Sequence, residues 1–548
     1  MIETTLHQWL EHWVKVQPYD EFLIYPDRQL RLTYEDFNAR VDRFAKGLLH
    51  IGVGHGDKVG VWAKNIPDWL TLMFATSKIG AVLVTVNTNY KLTEVEYVMR
   101  NADIHTMCIM NGYRDSDYVQ IIGEIVPEIK TQQRGFLKSE KLPHLRNVIY
   151  LGSEKHRGMY NTAELNVLGA QISDECLCEA KAKVSCHDVV NMQYTSGTTG
   201  FPKGVMLSHY NIVNNGKSIG DCMEYTNRDR LLVCVPFFHC FGCVLGVCAI
   251  ITHGTSMVVL EDFEPLAVLS AVEKEKCTSI YGVPTMFVAE LNHPMFDIFD
   301  LSSLRTGIMA GAPCPIEYMK RVVEKMHCRD IISVYGLTET SPGMTATRVT
   351  DSIEIRCETV GRALPDIEVV VKNPETGEIC ATGEIGEMCC RGYNIMKGYY
   401  NNPEATAACI DDEGFLHSGD LGVMDSEGYF RITGRIKEMI IRGGENIYPR
   451  EIENFLLTNP AVRDVQVAAI PSPKYGEQVA AYIILNEGED LSEHDIKMFC
   501  TGKIARYKIP KYVFFVESYP VTASGKVQKY LLEEIGLALL QEAGTEIL

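Results

Sequence analysis

Short apolar stretches alternate with amphipathic ones along the first part of the chain, and this alternation restricts the fold more than any other feature of the sequence. Residues 34–51 and 67–82 repeat apolar side chains at helical spacing, whereas DKVGVWA and AVLVTVN are apolar runs of strand length. Further runs of strand length recur at Val258–Leu260, Ser279–Gly282 and Ile331–Val334. Strands that alternate with helices build parallel sheets covered by helices, so the sequence predicts an α/β fold.

The pattern changes from about Ile367. The segment IEVVVKNPETGEIC indicates two strands around a Pro-Glu-Thr-Gly turn, and GEIGEMCCRG continues the β-like pattern. From Glu451 the order is helix, strand, strand, helix and strand, which is typical of a compact α+β domain. Because 548 residues exceed what one core holds, we predict a large N-terminal domain of α/β sheets with a small β-barrel-like subdomain over residues 1–434, and a smaller α+β domain over residues 435–548.

Acidic side chains outnumber basic ones by 71 to 52, which gives a formal net charge of −19. Such a surface repels nucleic acid and anionic lipid, so neither is an expected partner, and an anionic substrate needs a locally positive site. The 18 cysteines are scattered, and the N-terminal residues lack the apolar run of a signal peptide. This combination predicts a cytoplasmic protein with free thiols.

The stretch Leu231–Ile251 carries no Asp, Glu, Lys or Arg and is long enough to cross a bilayer. Pro236 and Gly246 are among the residues that interrupt it, so we predict a buried strand, turn and helix and no transmembrane segment. The same stretch contains one CxxC, at Cys240 and Cys243. A structural zinc site needs four ligands and no second CxxC completes one, so we expect two packed cysteines.

The segment QYTSGTTGFPKGVMLSH, residues 193–209, contains three glycines, several hydroxyl residues and one lysine. The preceding VVNMQY indicates a strand, and Ser208 is a candidate cap for a helix that begins near Tyr210. A glycine loop between a strand and a helix exposes backbone N–H groups to an anion, which predicts a phosphate site. A Walker A loop is disfavoured, because Pro202 and Gly204 stand where that motif needs its second glycine and its Ser or Thr.

The segment YTSGTTGFPKG resembles the phosphate loop of the adenylate-forming superfamily, which comprises acyl-CoA synthetases, luciferases and the adenylation domains of peptide synthetases. Other motifs of the family follow in its order and spacing, namely AGAP at 310–313, YGLTET at 335–340, SGD at 418–420, GRIKEMIIRGGENIYP at 434–449 and PVTASGK at 520–526. The resemblance covers nearly the whole chain. It implies an acyl-CoA synthetase, or fatty acid–CoA ligase, that uses ATP, Mg²⁺ and coenzyme A.

The resemblance also implies which residues bind ATP. Lys203 would add positive charge at the β- and γ-phosphates. The loop would surround these phosphates with the hydroxyls and backbone of Thr195, Ser196, Gly197, Thr198, Thr199 and Gly200. The adenine would lie beside Tyr335 and Gly336, with Gly311, Ala312 and Pro313 on its other side. Taken alone, the glycine loop is also compatible with a flexible surface turn.

Two carboxylates have separate roles in the family pattern. Glu339 matches the magnesium ligand, with Thr195 as a further oxygen donor, and Thr338 would donate to the α-phosphate. Asp420 would accept both ribose hydroxyls, and Arg435 would contact the ribose or a phosphate. Taken alone, Glu339 is compatible with a surface acid, and Asp420 with Arg435 is compatible with a surface salt bridge.

The C-terminal motifs imply a two-step reaction. Lys526 matches the catalytic lysine that would bridge the substrate carboxylate and the α-phosphate. Lys437 matches the hinge about which a mobile C-terminal domain rotates. Arg442, Gly443 and Gly444 would line the path of the pantetheine arm of CoA, since glycine leaves room for a narrow ligand. The alternatives are a solvated lysine and a glycine turn that ends a strand.

The acid itself is less constrained. His239, in PFFHCFG, resembles the aromatic-rich motif beside the reacting carboxylate, and Gly242, Cys243 and Val283 would line the acyl pocket. A core histidine with satisfied hydrogen bonds is the alternative for His239. Several long-chain synthetases carry a tryptophan gate where this chain has Cys243, so the gate gives no guide to chain length. The apolar surroundings favour a medium- or long-chain fatty acid, and aryl acids stay open.

Three functions therefore follow from the sequence. The first is a magnesium-dependent acid–CoA ligase that forms an acyl adenylate, releases pyrophosphate and then makes the thioester. The second is an adenylation enzyme that charges a carrier-protein thiol, which the absence of an acidic residue in PFFHCFGC disfavours. The third is an inactive ATP-binding scaffold, which the presence of Lys203, Glu339, Asp420 and Lys526 disfavours. The expected partners are a carboxylic acid, ATP and CoA, and the sequence leaves a homodimer open.

Overall fold

The computed structural model describes residues 1–195, 202–312, 314, 316–442, 445–521 and 527–542. The chain packs as two compact units. The first comprises Met1–Val369 and Cys390–Leu416, and the second comprises Val370–Cys389 and His417–Leu548. The α/β architecture is confirmed in the first unit, and the α+β architecture is confirmed in the second.

The α-helices of the described residues follow one another from end to end of the chain. In chain order they are α1 Leu6–Val16, α2 Tyr34–His50, α3 Pro67–Ile79, α4 Leu92–Asn101, α5 Tyr118–Ile125, α6 Thr162–Gly169, α7 Asp174–Ala182, α8 His209–Cys222, α9 Ala249–His253, α10 Pro265–Glu275, α11 Pro284–Leu291, α12 Ile316–Lys325, α13 Ile353–Glu358, α14 Pro403–Ala407, α15 Pro449–Leu456, α16 Glu493–Cys500 and α17 Lys529–Glu542.

The strands are mostly short, as in other α/β proteins. In chain order they are β1 Glu21–Tyr25, β2 Leu30–Thr33, β3 Lys58–Trp62, β4 Val82–Thr85, β5 Thr106–Ile109, β6 Gly112–Tyr113, β7 Ser116–Asp117, β8 Asn147–Tyr150, β9 Tyr160–Asn161, β10 Val189–Thr195, β11 Lys203–Ser208, β12 Arg230–Val233, β13 Ser256–Val259, β14 Ser279–Gly282, β15 Thr306–Met309, β16 Asp330–Ile332, β17 Val334–Gly336, β18 Gly343–Ala346, β19 Arg362–Ala363, β20 Ile367–Lys372, β21 Gly386–Gly392, β22 Gly398–Tyr399, β23 Leu416–Met424, β24 Phe430–Arg435, β25 Ile440–Arg442, β26 Glu445–Ile447, β27 Val462–Ser472, β28 Gly476–Leu485 and β29 Tyr512–Phe515.

Two large sheets organise the first unit. One has seven strands in the order β16-β15-β14-β12-β13-β1-β2, and its pairs are parallel except β1 with β2. Helices α10, α11 and α12 contribute Leu269, Phe287 and Val322 to the core on this sheet. The predicted strands at 258–260 and 279–282 are therefore members of one parallel sheet.

The second large sheet carries the phosphate-loop strands. Its order is β22-β11-β10-β4-β3-β5-β8-β9. The pairs from β10 to β9 are parallel, whereas β10 with β11 and β11 with β22 are antiparallel. Every residue of α3 is buried, which is expected for a helix whose sequence is apolar on most faces.

The glycine loop connects two antiparallel strands. The local sequence pattern predicts a strand, the loop and then a helix, and this order is wrong, because β11 (Lys203–Ser208) lies between the loop and α8. The segment KGVMLS pairs with β10 from Lys203 to Ser208, which takes its backbone groups into the sheet. The helix cap itself is confirmed, since the Ser208 hydroxyl accepts from the Asn211 amide at 3.2 Å.

The uncharged stretch 231–251 is a buried strand, turn and helix, as predicted. Strand β12 ends at Val233, and Phe241–Cys248 forms a π-helix that continues into α9. A π-helix of this length is rare, and such segments are frequent at functional sites. Within the described residues, no helix combines the length and the apolar character needed to span a bilayer.

The second unit holds most of the β-rich middle segment and the C-terminal α+β part. Strands β20-β21-β23-β24 form a four-stranded sheet, and β26-β25-β28-β27 form another to which β29 is added beside β28. The predicted second strand of IEVVVKNPETGEIC is reduced to a single bridge between Lys372 and Ile379. Helix α15, strands β27 and β28, helix α16 and strand β29 follow in the predicted order. A domain boundary at 434/435 concerns motion about Lys437, and it stays a prediction.

Candidate active site

The strands β10 and β11 bring the two ends of the glycine loop together. Thr195, the last residue of β10, pairs with Lys203, the first residue of β11. Residues 196–201 lie outside the described residues, so the predicted ligands Ser196, Gly197, Thr198, Thr199 and Gly200 have no described geometry. Thr195 and Lys203 therefore mark both sides of the predicted phosphate site.

The motif YGLTET forms the end of β17 and a following turn. Tyr335 and Gly336 belong to β17, and Thr338 and Glu339 begin a one-turn 3₁₀ segment. The turn is fixed by Thr340, whose hydroxyl accepts from the Leu337 amide at 2.9 Å and donates to the Pro342 carbonyl at 2.7 Å.

Tyr399 connects the predicted metal ligand with the predicted phosphate lysine. Its hydroxyl donates to Oε1 of Glu339 at 2.8 Å, and Nζ of Lys203 lies 4.9 Å from the centre of its ring. Burial, and then the nearby Glu339 carboxylate, raise the pKa of Tyr399 far above its ordinary value, so the phenol stays protonated and donates.

His239, Cys240 and Thr338 are neighbours in the first unit. The Cys240 thiol lies 3.6 Å from Nδ1 of His239 and 3.7 Å from the hydroxyl of Thr338. Nδ1 of His239 also accepts from the Phe241 amide at 3.2 Å, which places the proton of the neutral ring on Nε2. The structure thus brings the predicted acyl-site histidine to the same place as the predicted α-phosphate ligand.

Cys243, in the π-helix that follows His239, is fully buried. Its sulfur accepts from Nε2 of Gln193 at 3.1 Å, and the same amide donates to Asn191 at 2.8 Å. Burial raises the pKa of Cys243 well above its ordinary value, so the thiol is neutral. The CxxC cysteines are packed in the protein interior, as the sequence predicts.

Gly242 allows a close approach of two backbone segments. A Cβ there would lie 2.3 Å from the Pro236 carbonyl oxygen, so a side chain at this position would displace backbone. At Gly246, one turn further along the π-helix, the nearest atoms to such a Cβ would be 3.7 Å away. Gly246 is therefore the position at which added volume tests the predicted acyl pocket.

The loop after β15 lies beside the start of α11. A Cβ on Gly311 would lie 3.2 Å from Cγ1 of Val283, which precedes Pro284 at the start of α11. Gly311 has a φ of +85°, and Ala312 is exposed next to it. Pro313 lies outside the described residues. The predicted adenine loop thus runs close to the predicted acyl-pocket residue Val283.

In the second unit, Asp420 on β23 pairs with Arg435 on β24. Asp420 is 4% exposed, and its Oδ1 accepts from Nε of Arg435 at 2.7 Å. Strand register also places the two residues opposite each other. A buried carboxylate paired in this way can accept the two hydroxyls of a cis-diol through its remaining lone pairs.

Glu387 holds the turn that precedes Asp420. One carboxylate oxygen lies 2.7 Å from Nδ1 of His417, and the other accepts from the Gly419 amide at 2.8 Å. Gly419 has a φ of +74°, in the left-handed region that favours glycine. The amide of Asp420 then donates to the Ser418 hydroxyl at 3.0 Å.

Glu387, His417 and Cys389 also form the one three-residue group of ligand-type atoms found within the described residues, all within 4.8 Å of one another. Both carboxylate oxygens of Glu387 are already engaged by His417 and the Gly419 amide. The group is thus explained by the contacts of Glu387 with His417 and with the Gly419 amide, which support the turn.

Arg442 ends β25 in the second unit. Its guanidinium donates to Oε1 of Gln478 at 2.6 Å and to the Tyr507 carbonyl at 3.0 Å. Lys437 is exposed in the 3₁₀ turn Ile436–Glu438. Gly443, Gly444 and Lys526 lie outside the described residues, so their predicted roles have no described geometry.

The first unit supplies oxygen donors of the kind that Mg²⁺ prefers. The carboxylate of Glu339 uses one oxygen for Tyr399, and Thr195 supplies a hydroxyl at the end of β10. Carboxylate and hydroxyl oxygens are hard ligands, so these residues fit the metal that the family resemblance implies.

Sequence reasoning missed Tyr399 and Glu387. The signal for Tyr399 is weak, because GYYNN offers two adjacent tyrosines and no spacing distinguishes them. Glu387 stands in β21, whose first five residues are all buried, and its turn partner Gly419 is 32 residues away. Both residues act through contacts that only the fold creates.

Comparison with known proteins assigns the family. The model for AMP-binding enzymes matches residues 10–400, and the model for the C-terminal domain of these enzymes matches residues 451–526. YngI of Bacillus subtilis (strain 168), which bears the name of an acyl-CoA synthetase, is 51% identical over 97% of each chain. The zebrafish (Danio rerio) protein named medium-chain acyl-CoA ligase ACSF2, mitochondrial, is 40% identical over 97% of this chain and 88% of its own length.

A solved structure supports the same assignment. The ATP-bound MatB of Rhodopseudomonas palustris superimposes with a TM-score of 0.84 and 28% identity, over 97% of this chain and 99% of that one. The family models, the relatives and the fold agree with the motifs of the sequence. The chain therefore belongs to the AMP-binding enzyme family, among the adenylate-forming acyl-CoA synthetases.

Proposed function

We propose that this acid–CoA ligase activates a medium- or long-chain fatty acid in two steps. A carboxylate oxygen of the acid attacks the α-phosphorus of ATP and pyrophosphate leaves, which gives the acyl adenylate. The thiolate sulfur of CoA then attacks the acyl carbon and AMP leaves with the C–O bonding pair. A mixed anhydride thus replaces one difficult condensation by two easier substitutions.

The observation that carries the proposal is the arrangement around Tyr399. A lysine at one end of the glycine loop and a carboxylate from the YGLTET turn approach the same phenol ring. Lys203 would hold the departing phosphates, and Glu339 with Thr195 would hold Mg²⁺. When bound, Mg²⁺ supplies positive charge against the phosphate oxygens.

Other residues would orient the reactants. Thr338 would donate its hydroxyl to the α-phosphate, where negative charge grows during attack. His239, whose Nδ1 accepts from the Phe241 amide at 3.2 Å, would lie beside the reacting carboxylate. Asp420 would accept the ribose hydroxyls, and Lys526 would draw the substrate carboxylate to the α-phosphate.

The proposed acid follows from the buried residues of the π-helix and its neighbours. Phe241, Cys243 and Leu245 are buried, and Tyr281 packs against Phe241 with ring centres 5.7 Å apart. An apolar wall of this kind favours an alkyl chain, and the ACSF2 relatives bear the name of medium-chain ligases. The alternatives are an aryl acid and a carrier-protein thiol as the acceptor.

A panel of acids tests the proposal. Pyrophosphate release and thioester formation are measured with saturated acids from acetate to palmitate, together with benzoate, with CoA or hydroxylamine as acceptor. We expect the highest kcat/KM between about six and sixteen carbons, with CoA as the productive thiol. A maximum at benzoate, or adenylation with no transfer to CoA, would contradict the proposal.

The two steps are proposed to use different faces of the C-terminal region. Lys526→Ala is expected to abolish acyl-AMP formation and to leave thioester formation from supplied acyl-AMP intact. Gly444→Leu is expected to do the reverse, because a side chain would obstruct the pantetheine path. Rotation about Lys437, a cytoplasmic location and a homodimer stay predictions of the same account.

A further inference from the structure

Strand β22 joins the two predicted phosphate-side groups. Tyr399 pairs with Val205 of β11, two residues after Lys203, and the Tyr400 amide donates to the Gly204 carbonyl at 2.8 Å. On the other side, the Met396 amide donates to the carbonyl of Glu339 at 2.9 Å. The backbone around Tyr399 is therefore anchored to both the loop strand and the YGLTET turn.

The side chain of Tyr399 also contacts both groups, Glu339 and Lys203. Its hydroxyl donates to Oε1 of Glu339 at 2.8 Å, and Lys203 lies over its ring at 4.9 Å. Within the described part of the chain, neither Glu339 nor Lys203 lies within 4.0 Å of an opposite charge. A neutral donor and a neutral ring thus orient two charged groups without cancelling either charge.

We propose that Tyr399 is a positioning residue for the metal and phosphate site, which rests on the proposed function. Its hydroxyl holds one oxygen of Glu339 and so directs the other towards the cation, and its ring directs the ammonium of Lys203 towards the phosphates. A direct Lys203–Glu339 ion pair would instead compete with both ligands.

The neighbouring Tyr400 provides a matched control. Its hydroxyl donates to Oδ2 of Asp103 at 2.9 Å, and Nζ of Lys58 lies 5.2 Å from its ring centre. The two tyrosines therefore have the same type of carboxylate and lysine partners, but those of Tyr400 are not among the predicted ATP ligands. Loss of a phenol–carboxylate hydrogen bond is common to Tyr399→Phe and Tyr400→Phe.

The test measures metal binding directly. Electron paramagnetic resonance gives the dissociation constant of Mn²⁺ for the protein with ATP, and pyrophosphate exchange gives the Mg²⁺ concentration at half-maximal rate. We expect Tyr399→Phe to raise both by about tenfold, with the rate recovering at high Mg²⁺. Tyr400→Phe should stay within about twofold of the unsubstituted protein in both measurements.

Two further variants separate the contacts. Tyr399→Phe added to Glu339→Gln should weaken Mn²⁺ binding no further, since the phenol acts through that carboxylate. Tyr399→Leu should also weaken metal-free binding of ATP, because Lys203 loses the ring. Equal metal-free affinity of the Phe and Leu variants would overturn the role assigned to the ring.

The outcomes distinguish this proposal from the proposed function. If the unsubstituted protein shows no metal-dependent binding of ATP, the proposed function fails. If the unsubstituted protein does bind ATP in a metal-dependent way, Tyr399→Phe tests the role of Tyr399 alone. That role fails if the variant leaves the Mn²⁺ dissociation constant and the half-maximal Mg²⁺ concentration unchanged, whether or not kcat falls. Should Tyr399→Phe not fold, ring-fluorinated tyrosine at 399 changes the donor strength at nearly constant shape, and unchanged metal constants would overturn the proposal.

Discussion

Each unit contains one carboxylate that is predicted to bind the nucleotide, and the hydrogen-bond partners of the two carboxylates differ in charge. Glu339, in the first unit, is held by the neutral phenol of Tyr399 at 2.8 Å. Asp420, in the second, is paired with the charged guanidinium of Arg435 at 2.7 Å and is nearly buried. A carboxylate that binds a cation needs a negative charge that no other cation neutralises. A carboxylate that accepts hydrogen bonds from hydroxyl groups needs only its lone pairs and a fixed position.

The residues that hold these two carboxylates in place also differ. The turn before Asp420 is pinned by Glu387, which reaches both His417 and the Gly419 amide. Glu339 is pinned by a strand that also pairs with the lysine-bearing β11. The comparison indicates that Asp420, the predicted ribose ligand, is held rigidly within its unit, whereas Glu339, the predicted metal ligand, keeps an uncancelled charge in its own unit. Of four predictions, the first and the third test this contrast, and the second and the fourth concern other parts of the first unit.

The largest effect is expected at the phosphate side. Glu339→Gln keeps the shape of the side chain and removes the charge that would hold the cation. Pyrophosphate exchange should fall by roughly 10²–10⁴-fold with little change in the unfolding midpoint. Glu354→Gln, at an exposed position of α13, is the control. A near-normal exchange rate in Glu339→Gln at ordinary Mg²⁺ would remove the cation from this carboxylate.

The second prediction concerns the pH dependence of the stability of the first unit. Burial lowers the pKa of His7 from 6.5 to about 4, and the neutral ring contacts Thr5 and Ser77. The folded-state pKa lies below the unfolded one, so the stabilisation is complete above pH 6.5 and is lost as the pH falls towards 4. The loss amounts to about 3 kcal/mol.

The measurement uses the four tryptophans, Trp9, Trp13, Trp62 and Trp69, which all belong to the first unit. Urea unfolding followed by their fluorescence at pH 7.5 and 4.5 gives the free energy of unfolding of that unit. His7→Gln should reduce the fall between the two pH values by most of 3 kcal/mol. An equal fall in both proteins would show that His7 does not titrate with unfolding.

The third prediction concerns the ribose side and is smaller. Glu387→Gln loosens the turn before Asp420 without touching Asp420 itself. The preference for ATP over 3′-deoxy-ATP, as a ratio of kcat/KM values, should fall by about tenfold. Glu384→Gln, at an exposed position in the same segment, should leave the ratio unchanged. If Glu387→Gln keeps the full preference, the turn does not position the ribose ligand.

The smallest effect is expected in the π-helix. Gly246→Ala adds a methyl group where the nearest atoms are 3.7 Å away, so the fold should tolerate it. If the acyl chain passes here, the optimum should shift by about one methylene, with roughly 0.8 kcal/mol between neighbouring acids and no change in KM for ATP. Gly242→Ala should instead lower stability, because its Cβ meets the Pro236 carbonyl. An unchanged acid profile in Gly246→Ala would place the chain elsewhere.

Much of the fold follows from local patterns because buried strands and amphipathic helices differ in period. Strand β14 and the helix–strand–strand–helix–strand order of the C-terminal part are examples. Strand β11 was harder to predict, because KGVMLS is short and its identity as a strand depends on pairing with β10 and β22. The bridge at Ile379 shows the converse, a strand-like pattern that finds little pairing.

In the candidate site too, some residues could be predicted from the sequence and others could not. Glu339 and Asp420 are recognisable because each stands in a contiguous motif that resembles one of the family. Tyr399 is 60 residues from Glu339 in sequence, and its role depends on a strand that joins distant segments. No local propensity encodes such a contact, so the supports of the site had to come from the structure.

Transfer of an isotopic label tests the acyl-adenylate most directly. The fatty acid is prepared with ¹⁸O in both carboxyl oxygens, and AMP is analysed by mass spectrometry after thioester formation. Attack of the carboxylate on the α-phosphorus, followed by cleavage of the C–O bond, predicts one ¹⁸O in each AMP formed. Unlabelled AMP, or ADP and phosphate as the products, would contradict the account.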